Sequence, residues 1–321
     1  MFDKDLKLPI ILIKAEALER RTAENHPCRG DLKSYIKNLR SGYNGEKTIN
    51  YFLSQIPPQR FRIFHDLRLP YGDTYFQIDT LLLSTKFILM LDGKNHSGKL
   101  YIDKEQMVQE YLGTRNVFEN PIIQANRHNL LLKYFLEKHK IPQIPIESLV
   151  VISKLSTEVT IDAGYTEAHR KICRASDLVN KMEEKYRYYR KEYIDNKTVE
   201  KIKKLVLKKH TPLNTNIMEK FNVSILDILT GVQCPKCFFI PMNYKRNNWI
   251  CPSCHFLSPD AFINAVADYF LLINPSFTNM EIRNFLHLPS SRSATYFIFL
   301  LDFPSTGTTK GRIYHQPKDF L

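Results

Sequence analysis

The chain has 321 residues, 43% of them hydrophobic and 12% aromatic, so it can bury at least one full core and is not a disordered protein. Its formal net charge of +13 indicates a polyanionic partner, and nucleic acid is favoured over an acidic membrane because the charge is spread along the chain. The apolar runs are far shorter than the about 20 residues of a membrane span, and the N-terminus lacks a signal-peptide pattern, so we expect no membrane partner and a cytoplasmic location.

The first forty residues read as helical. A partial apolar stripe predicts a helix that ends before Pro27, and a second short helix is predicted from Asp31 to Leu39. Nothing here has ligand spacing. We therefore interpret residues 1–40 as packing support for the domain that follows, with the arginines on a solvated face.

A further helix is predicted from Tyr43 to Gln55, with Glu46 in its first turn. A carboxylate at that place can simply offset the positive end of the helix dipole, which is worth about 0.3–1 kcal/mol.

Three consecutive strands are then predicted as a meander, the first over residues 61–69 and the other two within residues 75–100. Asp79 lies in the second strand, and Asp92 and Lys94 stand two residues apart at the end of the third, so their side chains leave on the same face. Two carboxylates on neighbouring strands can hold a hard cation such as Mg²⁺, and an ammonium beside them can orient water or neutralise a phosphate. The alternative is an ordinary hairpin with polar ends.

A long helix is predicted from Asn120, and Gln124 and His128 share one of its faces because they are four residues apart. A histidine in such a place is more often an ordinary surface or core residue. The apolar run over residues 148–153 predicts a buried strand that completes the sheet, and residues 161–173 can add an edge.

At several separated places residues 40–155 resemble the nuclease-related domain, a branch of the PD-(D/E)XK nuclease superfamily. The matching residues are Gly45-Glu46, Gln77-Ile78-Asp79, Asp92-Gly93-Lys94-Asn95 with Gly98, and Asn120-Pro121 with Gln124 and His128. The resemblance implies an α/β fold with a restriction-endonuclease-like core, a mixed sheet flanked by helices, that cuts nucleic acid with a divalent metal. The branch usually has glutamate where Asp92 stands, whereas the wider superfamily accepts aspartate.

The resemblance also implies roles for single residues. Glu46, Asp79 and Asp92 would bind Mg²⁺ or Mn²⁺, Lys94 would stabilise developing charge or position the water, and Gln124 would assist near the scissile phosphate. The predicted function is a metal-dependent nuclease that hydrolyses phosphodiester bonds, with DNA the favoured substrate. The rival is a nucleic-acid-binding or regulatory protein in which the nuclease fold has lost its metal.

Residues 181–210 form a basic tract with eleven Lys or Arg against five acidic residues, and four tyrosines are interleaved with them. Such a tract can follow a phosphate backbone while the rings stack or pack. A solvated linker helix explains it equally well. We treat residues 176–230 as a basic helical connector.

Two Cys-Pro-x-Cys pairs are the strongest local signal. Together they supply the four thiolates of a tetrahedral site that favours Zn²⁺, with a hairpin between them, and they resemble a zinc ribbon. Four cysteine ligands leave no open position, so this zinc is predicted to be structural. The ligands are Cys234, Cys237, Cys251 and Cys254. Cys28 and Cys173 are assigned no role.

The last part of the chain predicts three helices and a small basic hairpin, which resemble a winged helix-turn-helix. In that geometry Ser291, Arg292 and Thr295 would enter a major groove, while Lys310 and Arg312 on the wing would touch phosphates. A protein-docking module has the same pattern and is the alternative.

Five segments are predicted altogether, and a homo-oligomeric state is compatible with them. They are residues 1–40 (helical support), 41–175 (nuclease-related catalytic domain), 176–230 (basic connector), 231–257 (zinc ribbon) and 258–321 (winged-helix-like module).

Overall fold

The computed structural model describes residues 2–57, 59–317 and 320. The strands are β1 (Phe2–Lys4), β2 (Arg62–Tyr71), β3 (Thr74–Leu83), β4 (Ile88–Lys94), β5 (Lys99–Ile102), β6 (Gln106–Tyr111), β7 (Thr114–Glu119), β8 (Ile146–Ile152), β9 (Glu158–Ile161), β10 (Ile172–Arg174), β11 (Asn243–Lys245), β12 (Asn248–Ile250), β13 (Leu257–Ser258), β14 (Ser276–Thr278), β15 (Ser305–Thr306) and β16 (Ile313–His315). The helices are α1 (Ile10–Arg21), α2 (Arg29–Leu53), α3 (Pro121–Lys138), α4 (Thr166–Lys171), α5 (Leu178–Tyr188), α6 (Asn196–Lys209), α7 (Ile217–Lys220), α8 (Phe262–Leu272), α9 (Asn279–Leu286) and α10 (Ser291–Leu300). None of the described helices is both long and apolar enough to cross a membrane.

The chain divides into two compact units, and each unit is discontinuous in sequence. The first unit is Met1–Leu8 with Asn38–Leu213, and the second is Pro9–Lys37 with Asn214–Leu321. This division differs from the segments predicted above, because residues 9–37 belong to the second unit instead of supporting the nuclease core. Residues 176–213 likewise belong to the first unit and are not a free connector.

The first unit is built on a six-stranded mixed sheet in the order β1-β2-β3-β4-β8-β10. The predicted meander is present as antiparallel β2, β3 and β4, and β8 joins parallel to β4 as the completing strand. Both faces of the sheet are covered, which explains why its central strands read as continuous apolar runs. Ile88 and Met90 of β4 pack with α3 and α6 on one face, whereas Leu89 and Leu91 pack with α2 and α5 on the other.

A second, four-stranded sheet has the order β7-β6-β5-β9. No strand was predicted over residues 106–119, so the β6–β7 hairpin was missed. Its turn is made by Leu112 and Gly113, which both have positive φ (50° and 75°). The described residues of β7 are all exposed, so this strand lacks the apolar alternation that would have revealed it.

A single helix, α2, replaces the two helices predicted on either side of residue 40. No proline interrupts residues 29–53, and helix continues through the predicted break. Glu46 therefore lies well inside α2 and not in a first turn, which removes the helix-dipole explanation for its position.

The basic tract over residues 181–210 forms two helices, α5 and α6, instead of one. Both helices are amphipathic and pack on the main sheet: Met182 of α5 is buried on one face, and Ile202 and Val206 of α6 on the other. Tyr189 also packs inward and donates a hydrogen bond from its hydroxyl to Glu147 (2.5 Å). The solvated-linker interpretation is therefore wrong for this segment.

The second unit ends in α8, β14, α9, α10, β15 and β16, and its three strands form an antiparallel sheet in the order β14-β16-β15. Side chains cap the starts of α9 and α10: Thr278 forms a capping box with Glu281, and Ser290 Oγ accepts a hydrogen bond from Ser293 N (3.2 Å). Strand β14, between the first two of these helices, was not predicted.

A buried ion pair joins α1 to α8 within the second unit. Asp268 and Arg21 are 1% and 0% exposed, and Arg21 Nε donates to Asp268 Oδ2 (2.7 Å) while Arg20 Nε donates to Oδ1 (2.9 Å). Arg21 Nη1 also donates to the carbonyl oxygen of Gly231 (2.6 Å). Removing one partner of such a pair costs about 3–5 kcal/mol, because the other charge stays buried. The arginines expected on a solvated face thus hold α1 in this unit.

Candidate active site

Strands β3 and β4 bring the predicted acidic residues together. The two strands pair antiparallel as far as Leu91, so Asp79 and Asp92 lie side by side just beyond the last pair. The backbone N–H of Gly93 donates to Asp79 Oδ2 (3.1 Å). Lys94 Nζ donates to Asp92 Oδ1 (3.0 Å) and lies 2.8 Å from Oδ2.

Helix α3 adds Gln124 to this group. Gln124 Oε1 accepts a hydrogen bond from Lys94 Nζ (2.8 Å), so the ammonium bridges Gln124 and Asp92. The start of α3 is fixed by Asn120, whose Oδ1 accepts from Ile122 N (2.7 Å) and whose Nδ2 donates to the carbonyl oxygen of Asp103 (2.6 Å). The Asn-Pro element of the sequence thus sets the first turn that positions Gln124.

A small cavity of about 20 Å³ lies beside the carboxylates, and Asp79, Asp92, His128 and Ser148 supply its polar lining. A space of this size holds one water molecule or ion. His128 was not assigned to the site from the sequence, and its four-residue spacing from Gln124 is the signal that pointed to it. Burial lowers the pKa of His128, with the Asp92 charge opposing, so the neutral imidazole is favoured.

The carboxylates are crowded and poorly solvated. Burial, followed by the charges of Asp92 and Glu46, raises the pKa of Asp79 well above its usual range, and Lys94 only partly opposes this shift. Burial and the nearby Asp66 charge raise the pKa of Glu46 to about 7. Burial disfavours the charged form of both carboxylates, and neighbouring negative charges add to each pKa shift.

The donors at this place fit a hard divalent cation. Asp92 Oδ2 is buried and accepts no hydrogen bond from the described residues, although the Lys94 ammonium lies close by. Carboxylate oxygens are the ligands that Mg²⁺ and Mn²⁺ prefer, and a cation would relieve the repulsion that raises the pKa of Asp79. Asp79 and Asp92 would hold it.

The ligand atoms of Glu46, Asp79 and Asp92 do not all lie within 4.8 Å of one another. Among the residues that the structure describes, the only group of three or more potential ligand side chains within 4.8 Å of one another is formed by cysteines. The Glu46 charge nevertheless acts on Asp79, and Glu46 itself is surrounded by Asp66 and Lys4. It therefore occupies an outer position in the site.

Two glycines let α2 approach the ends of β4 and β8. A Cβ on Gly45 would come within 2.8 Å of both Asn95 Cβ and Ser153 Oγ, and a Cβ on Gly93 would come within 2.9 Å of Ile49 Cδ1. Asn95 and Ser153, which are hydrogen-bonded to each other (3.1 Å), had no role assigned from the sequence. They form the surface on which α2 places Glu46.

A backbone irregularity in β2 is a second feature that sequence reasoning missed. Asp66 has φ of 48° and stands between the pairs of His65 and Leu67 with β3, whose register is the same on both sides of it. Lys4 of β1 donates from Nζ to the carbonyl oxygens of His65 (2.7 Å) and Asp66 (2.9 Å). These contacts fix the strand that borders Asp79.

The family model of the nuclease-related domain matches residues 41–153, which begin in α2 and end just after β8. The chain contains a nuclease-related domain. All of the predicted catalytic residues lie inside the matched range. No curated protein and no solved structure was found to match the chain.

The four cysteines of the second unit also come together, with all four sulfur atoms within 4.8 Å of one another. Cys234 and Cys254 Sγ are 3.6 Å apart, and Cys237 and Cys251 Sγ are 3.5 Å apart. Zn–S bonds of about 2.3 Å give a tetrahedral S–S edge of about 3.8 Å, so the spacing fits Zn²⁺. The predicted hairpin between the pairs is present as β11 and β12, and the cluster is consistent with a zinc ribbon.

The two cysteine pairs fold alike. Phe238 N donates to the carbonyl oxygen of Cys234 (2.9 Å), and His255 N donates to that of Cys251 (3.0 Å). Phe238 and His255 both have positive φ (61° and 56°). Each pair is thus held on the same kind of tight turn, as expected of a site with two thiolates from each turn.

The residues predicted to contact nucleic acid lie on α10 and around β16. Arg292 and Thr295 are exposed on α10, and Thr295 Oγ1 accepts from Asn279 Nδ2 of α9 (3.0 Å). Arg312 is also exposed. The side chain of Lys310 lies outside the described part of the structure.

We expect purified, reduced protein to contain one zinc per chain, and Cys251→Ser to lose it together with much of the stability of the second unit. Metal binding supplies folding energy in so small a module, and a hydroxyl replaces one of the four thiolates. Elemental analysis and thermal unfolding measure both effects. Cys28→Ser, in the same unit, is the control and should keep the zinc. Zinc-free wild-type protein would reject the assignment.

Proposed function

We propose that the first unit is a metal-dependent nuclease that hydrolyses phosphodiester bonds, with DNA as its substrate. The observation that carries the proposal is the Lys94 ammonium held between Asp92 and Gln124 beside the half-buried Asp79. This arrangement lies in the part of the chain that matches the nuclease-related domain. The net charge of +13 supports a polyanionic substrate.

Asp79 and Asp92 would hold Mg²⁺ or Mn²⁺. The cation, when bound, supplies a Lewis acid that acidifies water and neutralises phosphate charge. Lys94 is oriented by its two oxygen partners, and its remaining proton can be donated to a phosphate oxygen as negative charge develops. Its pairing with Asp92 keeps that charge at the reacting position.

The remaining polar groups would orient the attacking water. Gln124 uses its carbonyl oxygen for Lys94, which leaves its NH₂ group free to donate to a phosphate. A neutral His128 can accept a proton or a hydrogen bond from water in the small cavity that it shares with both aspartates. Glu46 would act from its outer position, through its charge on Asp79 or through a water molecule.

We further propose that the end of the second unit is a winged-helix-like module that binds duplex DNA. Its order of helix, strand, two helices and two strands supports this interpretation. The inner face of α10 is occupied, since Phe297 packs on Trp249 and Tyr244 of the zinc ribbon (ring centroids 5.9 and 5.4 Å apart). The outer face carries Arg292 and Thr295 and remains available.

Protein docking is the second candidate function of this module, because Phe299 is 81% and Leu300 is 52% exposed on the same helix. Large exposed apolar side chains are typical of protein contacts.

Asp79→Asn and Lys94→Ala should each reduce cleavage of plasmid DNA in Mg²⁺ or Mn²⁺ on the order of 10²-fold or more, because each removes a metal ligand or the group that stabilises charge. Unchanged circular dichroism should show that the fold is retained. Asp73→Asn, at an exposed turn beyond β2, removes the same charge and should cut like the wild type. Wild-type protein that cuts no nucleic acid with either metal would support the inactive, nucleic-acid-binding alternative.

Arg292→Ala should weaken duplex binding in a sequence-dependent way if α10 reads bases, whereas Arg312→Ala should weaken binding to all duplexes alike. A base contact is worth about 1–3 kcal/mol of discrimination, and a phosphate contact carries no sequence information. Fluorescence anisotropy with a panel of duplexes measures the difference. Unchanged affinity in both variants would favour protein docking.

A further inference from the structure

Helix α6 presents a row of lysines on its outer face. Lys197, Lys201, Lys204 and Lys208 follow one another at intervals of four, three and four residues, so they share one side of the helix. All four are exposed. The opposite side of α6 carries Val199, Ile202 and Val206, which are buried against the main sheet. The four lysines, called the lysine stripe below, therefore face away from the sheet.

Unlike Lys203 and Lys185 of the same tract, the stripe lysines have no carboxylate partner among the described residues. Lys203, on the flank of α6, pairs with Asp3 (2.5 Å). Lys185 of α5 pairs with Glu147 (2.8 Å). Among the described residues, no carboxylate lies within 4.0 Å of a stripe ammonium, and Lys201 Nζ donates only to the carbonyl oxygen of Lys140 (3.4 Å). Of the exposed residues of α6, none is acidic.

Such an arrangement is unfavourable for the isolated helix. Like charges three or four residues apart repel one another. A polyanion with regularly spaced phosphates removes this repulsion, whereas a merely solvated face is usually interspersed with both signs of charge. From Lys197 to Lys208 the helix rises about 16 Å, which is the rise of about five base pairs.

Hydrogen bonds at the two ends of α6 show how the lysine stripe is oriented relative to the strands of the main sheet. At the start, Tyr193 N and Ile194 N donate to the carbonyl oxygen of Thr85, in the turn between β3 and β4. At the end, Arg68 N donates to His210 Nδ1 (3.1 Å), and Arg68 pairs with Gln77 of β3, two residues from Asp79. The stripe therefore runs along the main sheet from the β3–β4 turn toward the part of β3 that carries Asp79.

We propose that the lysine stripe binds the phosphate backbone of duplex DNA beside the segment that enters the candidate active site. This inference rests on the proposed function for its choice of DNA. The stripe would give the first unit its own affinity for substrate, separate from any contribution of the second unit.

The test compares the full-length double variant Lys204→Gln/Lys208→Gln with Lys33→Gln/Lys37→Gln. The control removes the same net charge from two exposed lysines four residues apart on α2. Binding of a labelled duplex of about 30 base pairs, longer than the stripe, is measured over a range of KCl without added divalent metal. The α6 variant should lose about 1.8 from the magnitude of the slope of log affinity against log salt, since each phosphate contact contributes about 0.9.

The control should keep the wild-type slope, and Lys204→Arg/Lys208→Arg should restore most of it because charge is retained. Equal slopes for the two glutamine variants overturn the proposal, as does weaker binding of the α6 variant to anionic vesicles with unchanged DNA binding. Failure of the proposed function is separately visible. If the slope depends on the stripe but the wild type cuts no nucleic acid, the lysine stripe is supported and the proposed nuclease activity is rejected. If the wild type cuts nucleic acid but the slope does not depend on the stripe, the nuclease activity is supported and the stripe is rejected.

Discussion

The close approach of α2 to the ends of β4 and β8 is the constraint on which the candidate active site depends. Gly45 and Gly93 permit it, since a Cβ at either place would lie under 3.0 Å from a neighbouring atom. The approach places Glu46 close enough for its charge to act on Asp79. The resulting concentration of negative charge is unfavourable, and in the proposed nuclease a bound divalent cation would relieve it.

Local patterns predicted most of this site. Asp92 and Lys94 were paired by the two-residue period of a strand, and Gln124 and His128 by the four-residue spacing of a helix. The structure brings Asp79, Asp92, Lys94 and Gln124 together by direct contacts. Glu46 was misplaced in a helix start, because nothing local shows that α2 is continuous through residue 40.

Long-range contacts could not be predicted in the same way. Arg21 and Asp268 are far apart in sequence, and no sequence pattern at either position identifies the other as its partner. Their ion pair joins α1 to α8, and residues 9–37 lie in the second unit, whereas the sequence predicted that they support the nuclease core. Similarly, the sequence of α6 shows only that the helix is basic. Lys203, which pairs with Asp3, can be distinguished from the lysine stripe only when the buried face of the helix is known. These results depend on which side of a helix is covered, which is a property of the tertiary fold.

The central claim is that Asp79 and Asp92 form a divalent metal site, and calorimetric titration of the full-length protein with Mn²⁺ tests it most directly. The account predicts saturable Mn²⁺ binding by the wild type that is lost or greatly weakened in Asp92→Asn. That variant keeps the size of the side chain and removes its charge. Absence of Mn²⁺ binding by the wild type, or equal binding by the wild type and Asp92→Asn, would contradict the account.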